Sequence, residues 1–184
     1  MKIGVVVLGT LLALVATLVL FGVLTPRRHT ARVRLRLSRN PSEAWHVIAD
    51  LAAWPAWNAD AREVVRVSDV NDHATWRVTD SHGHAIPYEI VHASAPADGA
   101  PGRLVTRIAD DGLPFGGSWT WTVEPDGAGS TVTIVEDGVI RNVIFRALAR
   151  TMFGYTTTQK RALSALAAHF REAADTTETW EHVE

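Results

Sequence analysis

Two patterns divide the chain. From Ile3 to Leu24 nearly every residue is a large apolar one or alanine, interrupted only by Gly4, Gly9, Gly22, Thr10 and Thr17, with no charge. As a helix at about 1.5 Å per residue, the run spans a hydrocarbon core about 30 Å thick. A cleaved signal peptide would carry a shorter apolar stretch ending in a small-x-small site. Phe21–Pro26 offers no such site, so residues 1–26 are read as a retained anchor.

After Arg28 the pattern changes to alternation. In Arg32–Leu37 arginines alternate with Val33, Leu35 and Leu37, which is the period of a half-buried strand. Asn40-Pro41-Ser42-Glu43 follows as a helix start: Asn40 caps, Pro41 takes the first turn, and Glu43 reaches back. This helix should run to about Ala49, with Trp45 and Ile48 on one face and a second short helical piece over Leu51–Asn58. Six strand-like segments then alternate with turn-rich stretches: Glu63–Ser68, Ala74–Thr79, Ala85–Ala93, Arg103–Ala109, Ser118–Glu124 and Thr131–Glu136. Consecutive strands with short turns imply an antiparallel meander. From Asn142 to Ala174 a largely apolar stripe of Ile144, Leu148, Met152, Tyr155, Gln159, Leu163, Leu166 and Phe170 recurs at helical spacing, with Gly154 set to bend the helix. Residues 175–184 are acidic and read as a solvated tail.

The predicted fold class is therefore α+β. A curved antiparallel sheet of about seven strands wraps a long C-terminal helix over residues 27–174, behind one N-terminal transmembrane helix. A sheet curved around a helix encloses a space suited to a ligand.

Composition narrows the function. The chain has 18 Lys+Arg against 20 Asp+Glu, a formal charge of −2, which does not suit a nucleic-acid binder. It has no cysteine, which excludes disulfides, thiolate metal sites and cysteine nucleophiles. Arg27 and Arg28 on the C-terminal flank of the apolar run outweigh Lys2 on the other, placing the domain on the cytoplasmic side of a single-pass anchor. Seven Trp against two Tyr and five Phe is the oddity. Six of the seven fall in the opening helices or the sheet, and Trp180 in the tail.

Three stretches resemble the START-like (SRPBCC) superfamily in its polyketide cyclase/dehydrase branch. They are Asn40–Trp45 with Asp50-Leu51-Ala52-Ala53-Trp54-Pro55-Ala56-Trp57-Asn58, Leu113–Trp121 with Gly129–Gly138, and Asn142–Arg146 leading into the last helix. The resemblance implies a helix-grip fold over about Thr30–Arg171 with a cavity for a hydrophobic ligand. A fold alone does not settle function, since this one hosts both binders and cyclising enzymes.

Trp119 and Trp121 share one strand face and could line that cavity or fill the core. Trp76, Tyr88, Ile134, Arg107, Met152 and Phe153 join them as candidate ligand contacts. Glu136, at the end of a β-branched run, is either a pocket acid/base or the partner of Arg107 or Arg141. Tyr88 and His92, both placed on the face of Ile86 and Ile90, are the other candidate proton carriers. His82 and His84 share a turn but have no third ligand at metal-binding spacing, and no motif points to a cofactor. Three functions remain open. They are a membrane-anchored binder of a lipid, isoprenoid or aromatic polyketide-like molecule, a cyclase/dehydratase-like enzyme, and a ligand-free module with a core filled by Trp76, Trp119, Trp121, Phe153 and Tyr155. No protein partner is indicated.

Overall fold

The apolar run forms a helix because it holds no proline or charge before Thr25, and its two threonines, Thr10 and Thr17, bond back to the i−4 carbonyls without breaking it. In the computed structural model, which describes residues 2–97 and 99–183 without the side chains of residues 2, 152, 153, 182 and 183, α1 covers Lys2–Leu24. Its side chains are almost all exposed, and it is apolar enough to cross a membrane. Only its end meets the rest of the protein: Gly22 and Thr25 are buried.

Strand β1 (Arg28–Leu37) carries the alternation further back than Arg32: His29, Ala31, Val33, Leu35 and Leu37 are buried, while the arginines between them face water. Helix α2 (Pro41–Ala49) starts as its sequence predicts, with Asn40 Oδ1 accepting from the Glu43 amide at 2.9 Å and Pro41 in the first turn. A 3-10 turn over Leu51–Ala56 follows, and the Trp54 indole donates to the Ile48 carbonyl at 3.0 Å. The meander comprises β2 (Glu63–Arg66), β3 (Thr75–Thr79), β4 (Ala85–Ser94), β5 (Gly102–Ile108), β6 (Phe115–Asp126) and β7 (Gly129–Ile140).

The expected single long helix is two helices. Helix α3 (Val143–Leu148) continues into a π-turn over Ala149–Phe153 and stops, and α4 (Thr157–His169) begins afresh. The break is at Gly154, whose φ of 70° and ψ of 157° lie where essentially only glycine is comfortable. Ala162, Leu163, Leu166 and Ala167 of α4 then pack on Val33, Leu35, Leu104, Trp121, Val132 and Ile134.

The acidic C-terminal segment is likewise not a free tail. It forms β8 (Thr176–Val183), antiparallel to β1, so the sheet has eight strands in the order β2-β3-β4-β5-β6-β7-β1-β8. Its threonines suit a strand, and β1 offers a free edge that otherwise would stay unpaired. Glu178 of β8 accepts from Lys160 of α4 at 2.6 Å and from the Thr156 hydroxyl. The Trp180 ring lies 5.2 Å from that of Tyr155, which gives the isolated tail tryptophan a place in the packing. The whole is a helix-grip arrangement, with the sheet curved about the C-terminal helices.

Candidate functional site

Strand register decides which side chains meet. One row crosses the helix-facing side of the sheet as Ile90, Thr106, Trp119, Glu136, Ala31 and Trp180. Tyr88 lies opposite Trp76 and Ile108, and in the same neighbourhood Gly117 pairs with Gly138, which pairs with His29. Between these strands and α4 lies a cavity of about 260 Å³. Ile86, Tyr88, Phe115, Trp119 and Glu136 line it, together with Thr158 of α4.

The polar part of this wall is a three-residue chain. The Trp119 indole donates to Glu136 Oε2 at 2.8 Å, and His29 Nε2 lies 3.2 Å from Glu136 Oε1. A carboxylate only accepts, so an ionised Glu136 requires Nε2 to carry the hydrogen. Two features fix the imidazole. Its ring stacks on Tyr155 with centroids 4.2 Å apart, and it lies directly against Gly138. A Cβ on Gly138 would fall 2.2 Å from His29 Cε1, so glycine is what lets the ring lie flat there. His29 is buried (5 % exposed), while the Glu136 side chain keeps 23 % exposure. Both carboxylate oxygens are thus held by the protein, and it is through their remaining lone pairs, on the part of the side chain left exposed, that Glu136 can accept from a molecule in the cavity.

Tyr88 completes the wall. Burial, with smaller contributions from the charges of Glu136 and Asp80, pushes its phenol up to about 12. It stays protonated at neutral pH and can donate. Its hydroxyl has no hydrogen-bond partner among the described residues.

The sequence candidates thus separate. Tyr88, Trp119 and Glu136 meet in one cavity. Trp121 and Ile134 do not line it. They are 1 % and 0 % exposed and fill the core, with Trp121 against both Trp54 and Trp119. Trp76 is half-buried on β3, with the Arg66 guanidinium over its ring at 5.9 Å. The side chains of Met152 and Phe153 lie outside the described residues.

Arg107 is on the opposite face of the sheet, where its Nε donates to Glu89 at 2.6 Å. Alternation puts it there, because its neighbour Thr106 takes the helix-facing position. Glu89 is buried at 1 % exposure and also meets His73 at 3.2 Å. Burial opposes its ionisation, but hydrogen bonds from Arg107 and Asn71 and the charges of Arg107 and His73 outweigh that and lower its pKa. Arg141 is likewise not the partner of Glu136, since it pairs with Asp111 at 2.8 Å. His92 is exposed and bonds Ser94 at 3.1 Å. A bulge between Ile90 and His92 shifts the register and turns His92 off the face predicted for it. His82 and His84 remain in the exposed turn with Asp80.

His29 escaped the sequence reading because it follows Arg27 and Arg28 and so reads as part of the charged flank of the apolar run. Extending the alternation of Val33 back through Ala31 reaches it.

Fold and cavity together define a START-like helix-grip domain. The family described as polyketide cyclase/dehydrase and lipid transport matches residues 28–171, and the chain belongs to it. Strand β8 and helix α1 lie outside that match. No curated protein matches the sequence.

Solved structures of the same fold include the di-domain aromatase/cyclase StfQ of the steffimycin biosynthetic pathway. It has 16% identity and a TM-score of 0.58 over 77% of this chain, which spans 50% of that larger protein. The Zhui aromatase/cyclase of Streptomyces sp. R1128 has 11% identity and a TM-score of 0.58, over 77% of this chain and 93% of that one. A START superfamily protein of Mycobacterium smegmatis has 14% identity and a TM-score of 0.55, over 77% and 96%. At such identities the likeness is one of fold.

Proposed function

We propose that the protein is a single-pass, membrane-anchored binder of a hydrophobic small molecule with one polar end, its domain on the cytoplasmic side. The observation that carries this is the cavity itself. Its lining mixes Ile86, Phe115 and Trp119 with a carboxylate that accepts and a phenol that donates. A few converging polar groups in an apolar wall are what a specific small-molecule site needs. At about 260 Å³ the space suits the polar head and first ring or chain segment of a lipid, isoprenoid or aromatic polyketide-like ligand. The family's lipid-transport description agrees with this reading.

The location supports the tether. The cavity is built from the first residues of β4 and β6 and the last of β5, and from Glu136 near the end of β7. That is the end of the sheet at which Arg28 pairs with Val139 and the chain comes from α1. Apolar ligands dissolved in a bilayer would be close to this end. Organic extraction of the detergent-purified full chain, followed by mass spectrometry, tests the reading. A stoichiometric apolar molecule is expected, and repeated recovery of none counts against it.

The His29–Glu136 pair favours one second reading, an enzyme of the cyclase/dehydratase kind. With His29 behind it, Glu136 could take a proton from a bound substrate while the Tyr88 hydroxyl holds a carbonyl. Glu136→Gln separates the two: an enzyme loses turnover and keeps binding, whereas a binder shows no turnover to lose.

A further inference from the structure

Helix α3 has exposed apolar residues that the cavity does not use. Ile144 is 44 % and Phe145 48 % exposed. Among the described residues outside α1, the other large exposed apolar side chains, Val65, Val91 and Trp180, are separate from one another in sequence. Single exposed apolar residues are ordinary, whereas an adjacent pair beside an apolar span is not.

The pair sits where α1 leaves its apolar stretch. Gly22 of α1 packs directly on the first turn of α3, so closely that a Cβ there would fall 2.1 Å from the Val143 carbonyl oxygen. About two turns further along, in the π-turn that follows α3, the Arg150 guanidinium lies 5.7 Å from the centre of the Phe21 ring. Thr25 is buried at the same junction, its hydroxyl donating to the Phe21 carbonyl at 2.9 Å. The end of α1 is therefore fixed to α3 rather than loosely linked to the domain. Exposed Arg27 and Arg28 follow at once in the chain. Arg141, two residues before α3, pairs with Asp111 at 2.8 Å.

We infer that α3 is a second membrane contact, with Ile144 and Phe145 seated in the interfacial layer of the leaflet from which α1 emerges. The inference rests on the anchored reading above. If α1 spans the bilayer, its packing against α3 brings this pair to the headgroup boundary. Aromatic and aliphatic side chains flanked by arginines suit that layer, where the apolar part sinks and the guanidinium groups reach phosphates. The two contacts together fix the tilt of the domain. They hold the cavity end, reached through Phe115 and its partner Ile140 just before α3, against the membrane.

The chain has no cysteine, so single-cysteine labels report unambiguously. Val15→Cys in α1, Phe145→Cys in α3 and Val91→Cys on the far part of β4 are labelled with an environment-sensitive fluorophore. Each full chain is reconstituted in vesicles of phosphatidylcholine and phosphatidylglycerol with and without nitroxide-bearing lipids. The proposal expects lipid nitroxides to quench the labels at 15 and 145 and to leave the label at 91 bright. Quenching at 15 with a bright, water-accessible label at 145 overturns the α3 contact and leaves the anchor standing. A label at 145 that is shielded from water yet unquenched by lipid would mean that another copy of the chain covers α3, which also overturns it. A bright label at 15 would remove the anchored reading and this inference with it.

Discussion

His29 and Glu136 are 107 positions apart in sequence, and the antiparallel pairing of β1 with β7 brings Nε2 and Oε1 to 3.2 Å. The contact passes over Gly138, which stands directly opposite His29 in the register. Gly138→Ala would place a methyl group inside the imidazole and force His29 away from Glu136. The expected cost is about 1–3 kcal/mol, the usual range for inserting a methyl group into a close-packed site. Thermal unfolding measures it. In a His29→Ala background the same change should cost much less, because the clash has been removed.

Trp119 and Trp121 alternate on one strand face but have different roles. Trp121→Ala should lose about 3–5 kcal/mol, as for other large aromatic residues removed from a core. Trp119→Phe keeps most of the ring and should lose about 1–3 kcal/mol, the effect of freeing a partly buried carboxylate from one donor. Denaturant unfolding of the two variants checks the ranking. A larger loss from Trp119→Phe would show that Trp119 is the core residue of the two.

Glu89 sets an acid dependence. Its folded-state pKa lies below its unfolded value, which is about 4.3 for a glutamate. The stabilisation is therefore fully present above that unfolded value, and it is lost as pH falls through the lowered folded value. Glu89→Gln should cost about 2–3 kcal/mol near neutral pH, in line with charge-assisted hydrogen bonds to a buried group. The gap to the native chain should narrow below about pH 4, where the unfolded carboxylate takes up its proton. Melting temperatures across this range test it, and a gap that widens in acid would contradict it.

Strand β8 protects the β1 edge. Removing residues 175–184 takes away the Trp180–Tyr155 contact and the Glu178 links to Thr156 and Lys160. It also leaves β1 with unpaired backbone groups, which invite pairing with another chain. The shortened protein should melt lower and self-associate by size-exclusion chromatography. An unchanged melting temperature would show that β8 adds nothing to the fold.

Period-two alternation and the Asn40 cap made most of the sheet and the opening helix legible from sequence. Four features were not, each for a physical reason. In β8, acidic composition masked a threonine-rich strand whose value depends on a distant edge. At Gly154 the glycine looked like a bend, but its conformation ends the helix outright. The bulge before His92 reverses a face without any Gly or Pro to mark it. Within the site, Glu136, Tyr88 and Trp119 could be read as inward-facing, whereas the His29 partner needed the β1–β7 register. Arg107 shows the same limit in reverse, since its buried partner Glu89 lies on a strand that only register places beside it.

The central claim is that the cavity beside Trp119 and Glu136 holds an apolar molecule. It is tested most directly by how much small molecule co-purifies per mole of full chain, compared between the native protein and Ile86→Trp. The larger ring would occupy the cavity from its wall. Val65→Trp, at an exposed position on β2, serves as the control. The account predicts a near-stoichiometric apolar ligand in the native and Val65→Trp proteins and its loss from folded Ile86→Trp. Equal amounts in all three, or none in the native protein, would contradict it.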